Sequence, residues 1–143
     1  MPRIMVFLQT ELFSPIPENM TSNFKHRLAD LWLDTNIFSS GTAGILCAWA
    51  GLPMLTLAGD LSQNRTGAGV NSSINMPELI VDSLPAYREK AIYYATHPYE
   101  FQALRKKLET TVKKQALFDV DGYIKELEKA YMIMLKERFS EQK

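Results

Sequence analysis

The sequence predicts an α/β fold, a Rossmann-like parallel sheet half-domain with a helical C-terminal tail. Three observations carry this. Apolar runs of strand length, RIMVFL at 3–8, LWLDT at 31–35 and PMLTLAG at 53–59, alternate with helical patterns through residues 1–82. The runs are nearly continuous in apolar residues, as a parallel strand covered on both faces requires. From residue 83 to 143 the pattern changes to the 3.6-residue period of helices.

Each element has its own grounds. Residues 3–8 read as a buried strand, and Pro15 and Pro17 mark a loop after it. NMTSNFKHRLAD (19–30) reads as a short helix capped by Thr21 or Ser22. LWLDT is the second strand. TAGILCAWAG (42–51) is a small-residue helix closed by Gly51, with Pro53 beyond it. PMLTLAG is the third strand. LSQNRTGAGVNSS (61–73) reads as helical despite Gly67 and Gly69. PELIV (77–81) reads as a short strand or an ordered loop. LPAYREKAIYYATH (84–97) is a helix capped by Asp82 or Ser83. PYEFQALRKKLETTVKK (98–114) opens on Pro98, where a missing N–H costs nothing. DGYIKELEKAYMIMLKERF (121–139) is the longest helix, with Ile124, Leu127, Tyr131, Met134 and Leu135 at helical spacing. The tail is expected to pack against the sheet.

Composition sets the outer bounds. A chain of 143 residues that is 46% apolar can bury one core and reads as a single partial lobe over 1–143. Sixteen basic residues balance sixteen acidic ones, which gives no electrostatic case for nucleic acid or an anionic membrane. No apolar run approaches the ~20 residues of a spanning helix. MPRIMVFLQTELF lacks a signal-peptide h-region and cleavage site. A single cysteine, Cys47, allows no internal disulfide and sits in an apolar helical pattern, so it reads as a buried hydrophobe. The expected compartment is the cytoplasm, where the sequons at Asn19, Asn64 and Asn71 are chance matches.

The chemistry is expected where ligands bind open parallel sheets, beyond the carboxyl ends of the strands. This places the 34–44 loop and the 58–65 loop on one rim. SSGTAG follows the second strand and opens a helix. Unpaired amides at a helix start carry the positive end of the helix dipole, and glycine lets a phosphate approach them closely. Gly41, Thr42, Ala43 and Gly44 could therefore hold a diphosphate. The stretch matches neither the Walker pattern nor the full dinucleotide fingerprint, and on its own reads first as a strand-to-helix turn.

RLADLWLDT, then GTAG, then WAGLPMLTLAGD with Arg65 following, then PELI, ALF and LEKAYMIM stand in a specific order and spacing. Together they resemble the C-terminal catalytic lobe of the O-linked N-acetylglucosamine transferase family, including its SPINDLY-like members. The match runs from about Arg3 to the last helix. The resemblance implies one lobe of a two-lobed GT-B glycosyltransferase, usually set behind tetratricopeptide repeats. It implies metal-independent, inverting transfer from a UDP-sugar, in first place UDP-N-acetylglucosamine, to Ser or Thr of proteins. The implied partners are a protein acceptor and the N-terminal lobe with its repeats. The implied donor-binding residues are Gly41, Thr42, Ala43, Gly44 and Arg65, supported by Asp34 and Asp60. The chain departs from the family at Gly41, usually histidine, at Ala43, usually threonine, and at Leu46, where a ribose-binding aspartate is usual. The family's upstream lysine and histidine fall near Asn19 and Ser22. Charge-assisted hydrogen bonds contribute roughly 1.5–3 kcal/mol each, so losing three or four lowers nucleotide affinity by several orders of magnitude.

The remaining candidates read as structural. Asp34 reads first as an organiser of its loop and second as a ligand contact. Arg65 reads either as a phosphate contact or as an ion-pair partner of Asp60 or Asp34. Trp32 and Trp49 read as core, and RKKLETTVKK as a solvated helix face. His26 and His97 have no carboxylate or thiol at ligand spacing, so no metal site is expected. No nucleophile–base arrangement is visible, and catalytic residues stay unassigned. Two functions follow: the donor-binding lobe of a protein glycosyltransferase, inactive alone, or a degenerate lobe serving as a binding or homo-oligomerisation module.

Overall fold

The computed structural model describes residues 4–5 and 29–140. Four strands, β1 (Ile4–Met5), β2 (Leu31–Leu33), β3 (Met54–Leu57) and β4 (Ile80–Val81), form one sheet in the order β1-β2-β3-β4. Every pairing is parallel, with Ile4 opposite Leu31, Trp32 opposite Met54 and Thr56 opposite Ile80. The parallel α/β architecture is as the sequence predicts. The rest of the 3–8 run and most of the 19–30 helix lie outside the described residues, and Ala29 and Asp30 are not helical.

Between β2 and β3 runs helix α1 (Thr42–Trp49). Its end is fixed by Gly51, whose φ of +77° places it in the left-handed region. A side chain there would be strained, and its Cβ would also press on Glu109 Cγ at 3.2 Å. Between β3 and β4 the 61–73 segment divides into a 3-10 turn (Ser62–Asn64) and helix α2 (Thr66–Ser73). The buried Asn71 amide donates to the carbonyls of Met54 (2.7 Å) and Leu79 (3.4 Å), fastening α2 to β3 and to the lead-in of β4. PELIV resolves into both readings: Pro77–Leu79 is a 3-10 turn and Ile80–Val81 the strand.

Helix α3 (Leu84–Thr96) is capped by Ser83, whose hydroxyl accepts the Ala86 amide at 3.4 Å. Helix α4 (Pro98–Thr111) starts on its proline and continues as a 3-10 turn to Lys114. Phe101, Leu104, Leu108 and Val112 recur at helical spacing and are all buried. They meet Leu31, Met54, Leu55, Ile74, Met76 and Leu79 in the main core, which Tyr94 of α3 completes. Each such side chain contributes roughly 1.5–3 kcal/mol by burial. A smaller cluster joins Ala29, Cys47 and Leu52, and Trp32 packs against both clusters.

Several expectations need correction. RKKLETTVKK is not simply solvated, because Leu108 and Val112 are core. Arg105 pairs with Asp30 at 2.9 Å and Lys107 with Glu78 at 2.6 Å. Trp49 is 41% exposed rather than core. Its ring tilts against Phe118 at 5.0 Å, with Lys113 Nζ 5.3 Å from the centroid. Among the described residues the tail packs on the core through α3, through α4 and through the turns that follow it, where Val112 is buried and Leu117 and Phe118 lie against the main cluster. The last helix, α5 (Val120–Ser140), has no buried side chain among its described residues, and Tyr131 through Leu135 are all exposed.

Candidate functional site

Asp34 is the first residue after β2, and all three of its polar groups are engaged. Its amide donates to the Leu55 carbonyl at 3.0 Å. Its backbone carbonyl accepts the Tyr87 hydroxyl at 2.9 Å. One carboxylate oxygen accepts the amides of Thr35 (2.9 Å) and Ser40 (2.7 Å). The other accepts the hydroxyls of Ser39 and Thr56, both at 2.6 Å. The side chain is buried, as are Ser39 and Thr56. A buried carboxylate with four donors is held far more firmly than a surface one, since hydrogen bonds to ionised acceptors are the strong kind. The loop 34–40 is thereby wrapped around a single anion.

Ser39 carries the lacing further. Its hydroxyl accepts the Gly67 amide at 2.7 Å, and its own amide donates to Gln63 at 3.0 Å. Gly67 has to be glycine here. A Cβ would lie 2.6 Å from Ser39 Oγ and 2.7 Å from Thr56 Oγ1, and would overlap the Asp34 carboxylate. The starts of α1 and α2 are therefore drawn together, and a Cβ on Gly41 would sit 3.8 Å from Thr66 Cγ2. The 34–44 loop and the 58–65 loop do share one rim.

At that rim α1 begins on Gly41 with no side-chain cap and no acidic residue in its first turn. Among the described residues no protein acceptor takes the amides of Gly41, Thr42 or Ala43. Thr42 is exposed, while Gly41 and Ala43 are half-buried. Gly44 lies deeper, buried against Met54, whose Sδ would be 3.1 Å from a Cβ at that position. Arg65, exposed, donates from Nη1 to the Gly59 carbonyl at 2.9 Å. No ion pair joins it to Asp60 or Asp34 among the described residues, so that reading falls away. Asp60 is exposed on the same turn. Leu46, where the family's ribose-binding aspartate would stand, is half-buried on α1. Asn19 and Ser22 lie outside the described residues. Among the described residues the start of α1 therefore offers three amides and the Thr42 hydroxyl without a protein partner, groups suited to an anion, and Arg65 stands at the start of the neighbouring helix.

Reading the sequence missed four members of this arrangement: Ser39, Thr56, Gly67 and Tyr87. Only Thr56 left a signal, as the one polar residue in the buried strand MLTL, where an unpaired hydroxyl is costly. Cys47 is fully buried, and burial, then the nearby Asp34 carboxylate, push its thiol up to about 12. It is no nucleophile at neutral pH. His97 stacks on Tyr93 with centroids 4.1 Å apart. Among the described residues no three His, Cys, Asp or Glu side chains gather as a metal site. No described helix is long and apolar enough to cross a membrane.

A parallel sheet whose carboxyl rim presents two helix starts is an open α/β half-domain. The model of glycosyl transferase family 41 matches residues 6–127. The chain is 35% identical over 108 residues to the probable UDP-N-acetylglucosamine–peptide N-acetylglucosaminyltransferase SEC of Arabidopsis thaliana, covering 75% of this chain and 11% of that protein. It is 28% identical over 102 residues to the UDP-N-acetylglucosamine–peptide N-acetylglucosaminyltransferase of Caenorhabditis elegans, covering 71% of this chain and 9% of that one. A point mutant of the Thermobaculum terrenum O-GlcNAc transferase superposes with a TM-score of 0.71 at 23% identity, over 80% of this chain and 22% of that chain. The chain belongs to glycosyl transferase family 41, and its fold is that of a GT-B lobe of an O-GlcNAc transferase. It spans about a tenth of the length of the two curated relatives named above.

Proposed function

We propose that this chain is the donor-binding lobe of a protein glycosyltransferase, and that the α1 corner takes the diphosphate of a UDP-sugar, with UDP-N-acetylglucosamine first among candidates. The observation that carries this is the set of open amides at Gly41, Thr42 and Ala43, with the Thr42 hydroxyl beside them and Arg65 at the head of the neighbouring helix. Ser39 and Ser40 spend their amides within the protein; the next three residues do not. The Arabidopsis and Caenorhabditis relatives carry the name UDP-N-acetylglucosamine–peptide N-acetylglucosaminyltransferase, the first as a probable one, which supports the donor and a peptide acceptor. The acceptor-activating groups, the second lobe and the repeats belong to polypeptide beyond these residues. No metal or cofactor enters this reading. With Gly41, Ala43 and Leu46 in place of charged or polar partners, binding is weak, with a Kd of about 0.1–1 mM, or about −4 to −5.5 kcal/mol. Calorimetry with UDP and UDP-N-acetylglucosamine tests this: a folded sample that gives no heat up to millimolar ligand rejects it. Thr42→Val and Arg65→Ala should each weaken binding by about three- to tenfold, one hydrogen bond apiece.

A second reading, a non-catalytic lobe acting as a binding or oligomerisation module, has its own observation. Helix α5 exposes Tyr131, Met132, Ile133, Met134 and Leu135 in succession, more apolar surface than a solvated helix carries. A stable homo-oligomer that shows no nucleotide affinity favours this reading over the first.

A further inference from the structure

We infer that Tyr87 is a positioning residue for the α1 corner: by holding the Asp34 carbonyl from helix α3, it fixes where β2 ends and which way the amides of residues 41–43 face. The consequence for ligand rests on the donor-site reading; the consequence for the loop does not.

A carbonyl at the end of a parallel strand ordinarily continues the ladder to its neighbour. At Asp34 the amide still does so, donating to Leu55 at 3.0 Å, but the carbonyl is taken by the Tyr87 hydroxyl at 2.9 Å. The strand stops at Leu33, and the chain turns at Asp34 into the loop that the carboxylate then gathers. Tyr87 is 53 residues away in sequence and half-buried, and its ring packs against the main core. Its position is therefore set by how α3 sits on the sheet. Burial, then the Asp34 carboxylate, hold its phenol well above the usual tyrosine value, so it remains a donor at any ordinary pH. Asp34 thus has its backbone fixed by β3 and α3 and its side chain by the loop and Thr56. Remove the α3 contact and the carboxylate cluster remains, but one of the two backbone anchors of Asp34 is lost.

The test compares the full chain with Tyr87→Phe, and with Tyr99→Phe as a control, since Tyr99 is 83% exposed. Amide hydrogen exchange is read at Ser39 and Ser40, whose amides are bonded within the loop, and at Leu108 in the core; UDP is titrated in parallel. In Tyr87→Phe the loop amides should exchange about fivefold faster, the size of one lost hydrogen bond, while Leu108 follows only the change in global stability. UDP affinity should fall by a similar factor, and Tyr99→Phe should change nothing. Loop exchange that stays at the wild-type rate, or rises only in step with Leu108, overturns the inference. If the loop loosens as expected but wild-type chain takes up no UDP, the donor reading fails and the positioning role stands. A second measurement needs no variant: in the wild-type chain the Tyr87 hydroxyl proton should exchange slowly enough to give cross-peaks to Asp34 and Thr35 by magnetic resonance. A rapidly exchanging hydroxyl proton also overturns the inference.

Discussion

Two glycines two residues apart show how much a single methyl group can matter. Gly67 lies against Ser39, Thr56 and the Asp34 carboxylate, whereas nothing lies within 4 Å of a Cβ built on Gly69. Both belong to α2, where alanine is the better helix former by roughly 0.5–1 kcal/mol. Gly69→Ala should therefore stabilise the chain by about that amount in urea unfolding. Gly67→Ala should destabilise it by about 1–3 kcal/mol, because rigid buried polar atoms must move. Asp34→Ala should cost about 3 kcal/mol or more, since several donors lose one acceptor. Cys47 gives a pH signature. Its thiol rises from an ordinary value of 9.0 to about 12 on folding, through burial first and Asp34 second. The unfolded chain therefore loses its proton first as pH climbs. The stability that Cys47 contributes is full below pH 9 and is lost towards pH 12, at up to about 1.4 kcal/mol per pH unit. Tyr94, raised to about 12 by burial and then by Glu78 and Tyr93, adds in the same direction above pH 10. Urea midpoints at pH 8, 9.5 and 11 should fall monotonically.

Among the helices, α4 and α5 look alike in sequence and behave differently. In α4 the apolar positions Phe101, Leu104 and Leu108 stand on one face and all are buried. Leu108→Ala should cost about 2–5 kcal/mol, read from the shift in the unfolding midpoint. In α5 the apolar residues spread around the helix, and its stretch 131–135 has no polar side to offer water. An exposed apolar run of this kind is normally covered by other protein. On the oligomerisation reading, the wild-type chain should run above its monomer mass in sedimentation, and Met134→Glu with Leu135→Glu should return it to 16.3 kDa. Neither side chain is buried within the chain, so any fall in melting temperature should be only that of the lost association and should vanish on dilution of the wild-type chain. On the donor-lobe reading the same surface meets the rest of the longer polypeptide, and the two variants change no affinity for UDP.

For the whole molecule, one sheet positions everything that acts. Parallel pairing puts the ends of β2, β3 and β4 on one rim, and the Asp34 cluster ties the loops at two of those ends together. On the donor-lobe reading, one lobe without a facing wall holds a donor without orienting an acceptor, and orientation supplies much of the rate in group transfer. The chain alone is therefore expected to transfer no sugar to a Ser- or Thr-containing peptide above background, even where UDP binds. Turnover by the isolated chain, followed by product mass, would contradict that view of the site.

By itself the sequence determined the fold class, the order of the elements, the Gly51 stop of α1, a cap at Asp82 or Ser83 and the position of the corner at Gly41. Those are local properties: periodicity, turn chemistry and end signals act over a few residues. Only the tertiary structure decided what Asp34 binds, why residue 67 is glycine, that Tyr87 reaches the rim, that Trp49 lies at the surface, and that α5 stands off the core. Each of these depends on groups tens of residues apart meeting in space. A hydrogen bond from Tyr87 to Asp34 leaves no periodic trace, and an apolar stripe predicts burial without saying which surface provides it.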